Sequence, residues 1–193
     1  MRVGLRLLAA MAVLSLVAAC HSAAKSSAAA GAGPSCLSAS PAAPSSGASS
    51  PAPAGDPVPG LAFDCFSGSG KARLTDLHAP AIVTLWAAWC EPCATEMPAF
   101  QAVADKAEGR VRVIGVVTFD QHAHAQAFID EHKVTFPMLD DPDKHLLTAV
   151  GHAGLPVTLF LTADGHIAHL YDGTALDQPT LESMTAKYLG VDA

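Results

Sequence analysis

Two cysteines separated by two residues, Cys90 and Cys93, are the groups of this chain best suited to chemistry. They stand in Trp86-Ala87-Ala88-Trp89-Cys90-Glu91-Pro92-Cys93, where an almost continuously apolar strand, Ile82 to Trp86, runs into what reads as a helix. At a strand-to-helix junction the two intervening residues make the first helical turn and bring both sulfurs within bonding distance. Cys90 then sits over free backbone N–H groups at the positive end of the helix, which stabilises its thiolate and makes it the nucleophile, and Cys93 resolves the mixed disulfide. Pro92 suits the first turn, where a missing N–H costs little. A zinc site would need a second pair of ligands, and the remaining Cys36 and Cys65 form no second Cys-x-x-Cys. A redox pair without metal or cofactor is expected.

The elements that must position this pair follow from periodicity. Leu61 to Phe66 and Ala72 to Leu74, around Gly68-Ser69-Gly70, suggest an N-terminal hairpin, with a short helical turn at Thr75 to Leu77. Val111 to Thr118 reads as a second buried strand. Helices are expected over Cys93 to Glu108 (capped by Gly109), His122 to His132, Lys144 to Val150 and Gln178 to Leu189. Val157 to Leu161 and Ile167 to Tyr171 pair as strands around Ala163-Asp164-Gly165-His166, an Asp-Gly hairpin signal. The sum is an α/β fold with a central mixed sheet flanked by helices.

The first 19 residues have the layout of a signal peptide: Arg2 and Arg6, then an apolar run from Leu7 to Ala19, too short to span a bilayer comfortably. Val17-Ala18-Ala19-Cys20 resembles the bacterial lipobox, which implies that Cys20 is the acylated first residue of the mature protein; the alternative is an ordinary signal peptide in which Cys20 is incidental. Residues 20–59 are then a linker of Ala, Ser, Gly and Pro, with a random-coil reach of roughly 30 to 40 Å. The domain proper is placed at 60–193. Formal charge is −7, and cleavage, removing two arginines, takes it to −9. That balance argues against nucleic acid as a partner and leaves the lipid anchor as the route to the membrane. In an exported chain Cys36 and Cys65 are expected to pair, the alternatives being free thiols or a bond between molecules. The nine histidines read as solvated rather than metal-binding.

Residues 60–190 resemble the thioredoxin superfamily, and specifically its TlpA/ResA/CcmG branch of membrane-tethered extracytoplasmic reductants. The resemblance is carried by Trp89-Cys90-Glu91-Pro92-Cys93 and by Glu96-Met97-Pro98 just after it. It implies that Glu96 lies near the thiols and tunes them; physically, a carboxylate there, like Glu91 between the cysteines, disfavours thiolate. Without the resemblance Glu96 would read as a solvated helix residue. Pro98 would remove a helical hydrogen bond and bend the helix. Thr84 stands where classical thioredoxin has a buried aspartate. Gly154-Leu155-Pro156-Val157 matches the second thioredoxin signature, which implies a cis Leu155–Pro156 bond and Leu155 beside the cysteines, its backbone open to an extended substrate.

Three functions compete. The resemblance implies a reductase of exported protein thiols, such as the haem-site cysteines of apocytochromes c, recharged by a membrane electron donor. The same site run the other way is a disulfide-forming oxidase. A copper chaperone is a third reading, although related chaperones use a longer cysteine spacing. Thiol peroxidases of the superfamily carry threonine three residues before the reactive cysteine, where Ala87 stands.

Overall fold

In the computed structural model, residues 36–37 and 55–193 are described, and they belong to one unit of the chain. The signal segment, Cys20 and most of the linker lie outside the described residues.

Strand β3 (Ala81–Trp86) is buried along its whole length, as its apolar run requires. It pairs in parallel with β4 (Arg112–Thr118), from Ala81 opposite Arg112 to Trp86 opposite Val117. On its other side it pairs antiparallel with β6 (Val157–Leu161), which continues to β7 (Ile167–Tyr171) through a turn in which Gly165 takes φ +81°. Beyond β4 lie β5 (Met138–Asp141), β1 (Ala62–Cys65) and β2 (Lys71–Arg73), so the sheet order is β2-β1-β5-β4-β3-β6-β7.

Alternation along the strands divides the core. Ile82, Trp86, Val113, Val117 and Phe160 meet Met97, Phe100, Val103 and Leu181 on one face. Ala81, Val83, Leu85, Ile114, Val116 and Leu159 meet Val58, Phe63, Leu146 and Leu147 on the other. Each fully buried Leu, Ile, Val or Phe contributes about 1.5–3 kcal/mol. Thr84 has the parity of Ile82 and Trp86, so it faces the layer that holds the helix following β3. Gly115, opposite Thr84, lies where an added Cβ would stand 2.1 Å from Met138 Sδ and 3.0 Å from Trp86 Nε1.

Helix α1 (Glu91–Lys106) starts two residues earlier than expected, with Cys90 as its N-cap and Pro92 in its first turn. It runs through Pro98 and ends before Gly109: Ala107 is the C-cap, and the chain leaves through Glu108 at φ +50° and Gly109 at φ +82°. Helices α2 (His122–His132) and α4 (Gln178–Leu189) have the expected bounds, and α3 is the short His145–Ala149. Strand β5 was not expected. It is four residues long and ends in two acids, so it carries no periodic signal. Its Asp141 is buried because its carboxylate oxygens accept from the N–H groups of His145 and Leu146, both at 2.9 Å, at the head of α3.

Residues 55–59, placed in the linker by composition, pack on the sheet. Val58 N–H donates to Gly165 and Ile167 N–H to Asp56, so a strap from Gly55 lies along the β6–β7 turn. Cys36 and Cys65 form a disulfide with Cα atoms 5.8 Å apart, and Arg112 donates to the Leu37 carbonyl at 2.5 Å. No described helix is long and apolar enough to cross a membrane.

Candidate active site

Cys90 and Cys93 form a disulfide at the head of α1, their Cα atoms 5.2 Å apart. Strand β3 delivers the chain to this point through a turn closed by Cys90 N–H to Ala87 O, 3.1 Å. The Cys93 N–H donates to Cys90 Sγ at 3.3 Å, so a free amide of the first helical turn points at the first sulfur. A negative charge left on Sγ by reduction is stabilised by that amide and by the helix dipole. Burial orders the two thiols: Cys90 keeps 4% exposure and Cys93 none, so only Cys90 can meet an incoming substrate.

The turn is fixed from a second element. The Ala88 N–H donates to Asp120 Oδ2 at 2.6 Å, and Trp89 Nε1 donates to the Phe119 carbonyl at 3.0 Å. Asp120 Oδ1 accepts from Gln121 N–H at 2.7 Å, which orients the carboxylate. Asp120 and Phe119 follow β4 and were not singled out in the sequence; a lone acid thirty residues from the motif gives no local signal. Their role follows from parallel pairing, which places the ends of β3 and β4 side by side.

Glu96 is 1% exposed, which overturns the solvated alternative. The Leu176 N–H donates to its Oε2 at 3.4 Å, while Oε1 and the Thr84 hydroxyl are both buried without completing a hydrogen bond. Burial pushes the carboxyl up to about 7, and the hydrogen bond from the Leu176 amide restrains that rise. Glu96 therefore carries only part of a negative charge at neutral pH, and can exchange a proton there. Sequence proximity to Cys93, three residues back on the same helix, sets it on the same face.

The Leu155–Pro156 bond is cis. Pro156 is buried, and Leu155 packs against the cluster that contains both cysteines. Leu155 takes part in no backbone hydrogen bond among the described residues. Glu91 is exposed in the first turn of α1. The arrangement can do one kind of chemistry directly: reversible opening of the Cys90–Cys93 bond by thiols, with one accessible sulfur and one protected. Among the described residues no group of three or more His, Cys, Asp or Glu side chains is placed to hold a metal ion.

Residues 54–170 match the AhpC/TSA family. The thiol–disulfide oxidoreductase ResA of Bacillus subtilis is 27% identical over 140 residues, 71% of this chain and 74% of that protein. The thiol:disulfide interchange protein DsbE of Pseudomonas fluorescens biotype C is 29% identical over 136 residues, 69% and 75% of the two chains. ResA of Oceanobacillus iheyensis is 30% identical over 103 residues, 52% of this chain; the match spans only 54% of that protein. Among solved structures, a secreted disulfide oxidoreductase of Mycobacterium tuberculosis homologous to E. coli DsbE superposes with a TM-score of 0.60 at 22% identity, covering 66% of this chain and 96% of the other. StoA of Bacillus subtilis gives 0.56 at 23%, covering 67% and 99%. These two likenesses speak for a thioredoxin-like fold. The chain belongs to the AhpC/TSA family, among its thioredoxin-like thiol–disulfide oxidoreductases of the ResA and DsbE type.

Proposed function

We propose that the protein works outside the cytoplasm as a reductase of exported protein thiols, held at the membrane by a lipid on Cys20. The observation that carries the reading is the Cys90–Cys93 pair at the head of α1, one sulfur reachable and one buried. In the reducing direction Cys90 thiolate attacks a substrate disulfide and one substrate sulfur leaves as thiolate. Cys93 then attacks Cys90 Sγ, the second substrate sulfur is released, and the Cys90–Cys93 bond forms. Two electrons pass to the substrate and must be returned by a membrane electron donor. Cys93 has to lose its proton in a buried place, and Glu96, its carboxyl at about 7, is a base of suitable strength on the same helix face.

The resemblance carried by the Glu96-Met97-Pro98 motif supports this direction over disulfide insertion, and haem-site cysteines of apocytochromes c are the substrates that resemblance suggests. The deciding experiment is a redox titration of the full chain in defined thiol–disulfide buffers, with the Cys90→Ser variant as the blank. A potential near the roughly −270 mV of thioredoxin supports the reductase. A value near the roughly −120 mV of strong oxidants would replace it with disulfide formation.

A further inference from the structure

Among the described residues two large apolar side chains stand exposed, Trp89 at 61% and Phe119 at 55%, and both border one cavity of about 170 Å³. Leu147 and Leu155 supply further apolar wall, and Lys144 is the one ionisable side chain that lines it. A cavity of about 150 Å³ holds a benzene ring, so this one has room for a single aromatic or branched aliphatic side chain.

Phe119 is kept at this rim against its own preference. Its φ of +54° is the left-handed region, which a bulky side chain occupies at a cost of about 1–3 kcal/mol. Its N–H donates to Asp141 O at 3.1 Å, its carbonyl accepts from Trp89, and Asp120 next to it is tied to Ala88. Lys144, itself at φ +59°, places its ammonium 4.1 Å from the Phe119 ring centre. The hydrogen bonds from Trp89 and Ala88 also serve the cysteine turn, but the bare Phe119 ring and the Lys144 ammonium over it do nothing for disulfide exchange at Cys90. Two bare aromatic rings and a cation at the rim are what recognition of a partner requires.

We propose that the cavity between Trp89, Phe119, Lys144 and Leu155 reads the residues flanking the substrate cysteine, taking an extended polypeptide in which that cysteine lies between a large apolar residue and a carboxylate. The apolar side chain fills the cavity. The carboxylate meets Lys144, a cation on a chain whose net charge is −7. The backbone N–H and carbonyl of Leu155, both open, pair with the extended segment and set its register. This inference rests on Cys90 being the attacking thiol.

The test uses the full-length Cys93→Ser protein and short peptides whose cysteine carries thionitrobenzoate through a disulfide. Cys90 thiolate attacks the peptide sulfur, a Cys90–peptide disulfide forms, and the thionitrobenzoate thiolate that leaves is read by absorbance. A Cys90→Ser/Cys93→Ser protein supplies the background. A peptide with phenylalanine and glutamate beside its cysteine should react about tenfold faster than one with serine and lysine. Lys144→Glu should reverse the order of phenylalanine–glutamate and phenylalanine–lysine peptides by about three- to fivefold. That reversal includes a gain of rate, which a misfolded variant cannot produce. Equal rates for all peptides, or an order unchanged by Lys144→Glu, would overturn the subsite alone. No release above background from any peptide would overturn the role of Cys90 and the subsite with it.

Discussion

The Ala88 N–H and the Asp120 carboxylate meet at 2.6 Å, joining the turn before Cys90 to the loop after β4. The bond sets the height of the cysteine turn above the sheet, because the residues before Ala88 are fixed by β3 and those before Asp120 by β4. Asp120→Ala removes this charge-assisted bond from a half-buried site. It should lower stability by about 1–2 kcal/mol in urea unfolding and slow the reaction of reduced Cys90 with a small disulfide. Unchanged stability with unchanged reactivity would show that the turn holds itself.

The difference in burial between the two sulfurs orders their reactions. With a protein disulfide as substrate, Cys93→Ser should accumulate a covalent mixed disulfide on non-reducing gels, and Cys90→Ser should accumulate little. Equal trapping by the two variants would remove the assignment of Cys90 as nucleophile.

Glu96 should write a pH slope into stability. Its carboxyl ionises near 4.5 in the unfolded chain and near 7 in the folded one. Between those values the folded protein holds a proton that the unfolded chain has released, so stability falls as pH rises from 4.5 to 7 and levels off above. The oxidised protein is expected to lose on the order of 3 kcal/mol across that window through this group. Glu96→Gln should flatten the change when denaturation at pH 5 is compared with pH 8. A slope identical in the variant would place the titration elsewhere.

The Cys36–Cys65 bond closes a loop across 29 positions. Replacing both cysteines by serine should cost about 3–4 kcal/mol, chiefly by freeing the unfolded chain. The Cys90–Cys93 couple should remain measurable in that variant. Loss of the couple together with the Cys36–Cys65 bond would mean that the two disulfides are coupled.

What could be read from the residues alone was local. The Cys-x-x-Cys spacing, the apolar run of β3, the Asp-Gly turn between β6 and β7 and the bounds of α4 each carry their signal within a few positions, because backbone geometry and hydrophobic period act over that range. The same spacing placed Glu96 one turn from Cys93, but only packing decided that it is buried against Thr84 and Leu176 and so titrates near neutrality. Strand β5 needed the sheet: four residues ending in Asp140 and Asp141 become a strand because β1 and β4 flank them and α3 satisfies the Asp141 carboxylate. The strap at 55–58 looked like linker by composition, and its order comes from hydrogen bonds to the β6–β7 turn. Asp120, Phe119 and Lys144 reach the cysteine turn only through the adjacency of strand ends. Such contacts join residues about thirty to fifty-five positions apart, and no local pattern encodes them; the chemistry of the pair was thus determined by the sequence, and its setting, its proton partner and its rim by the tertiary structure.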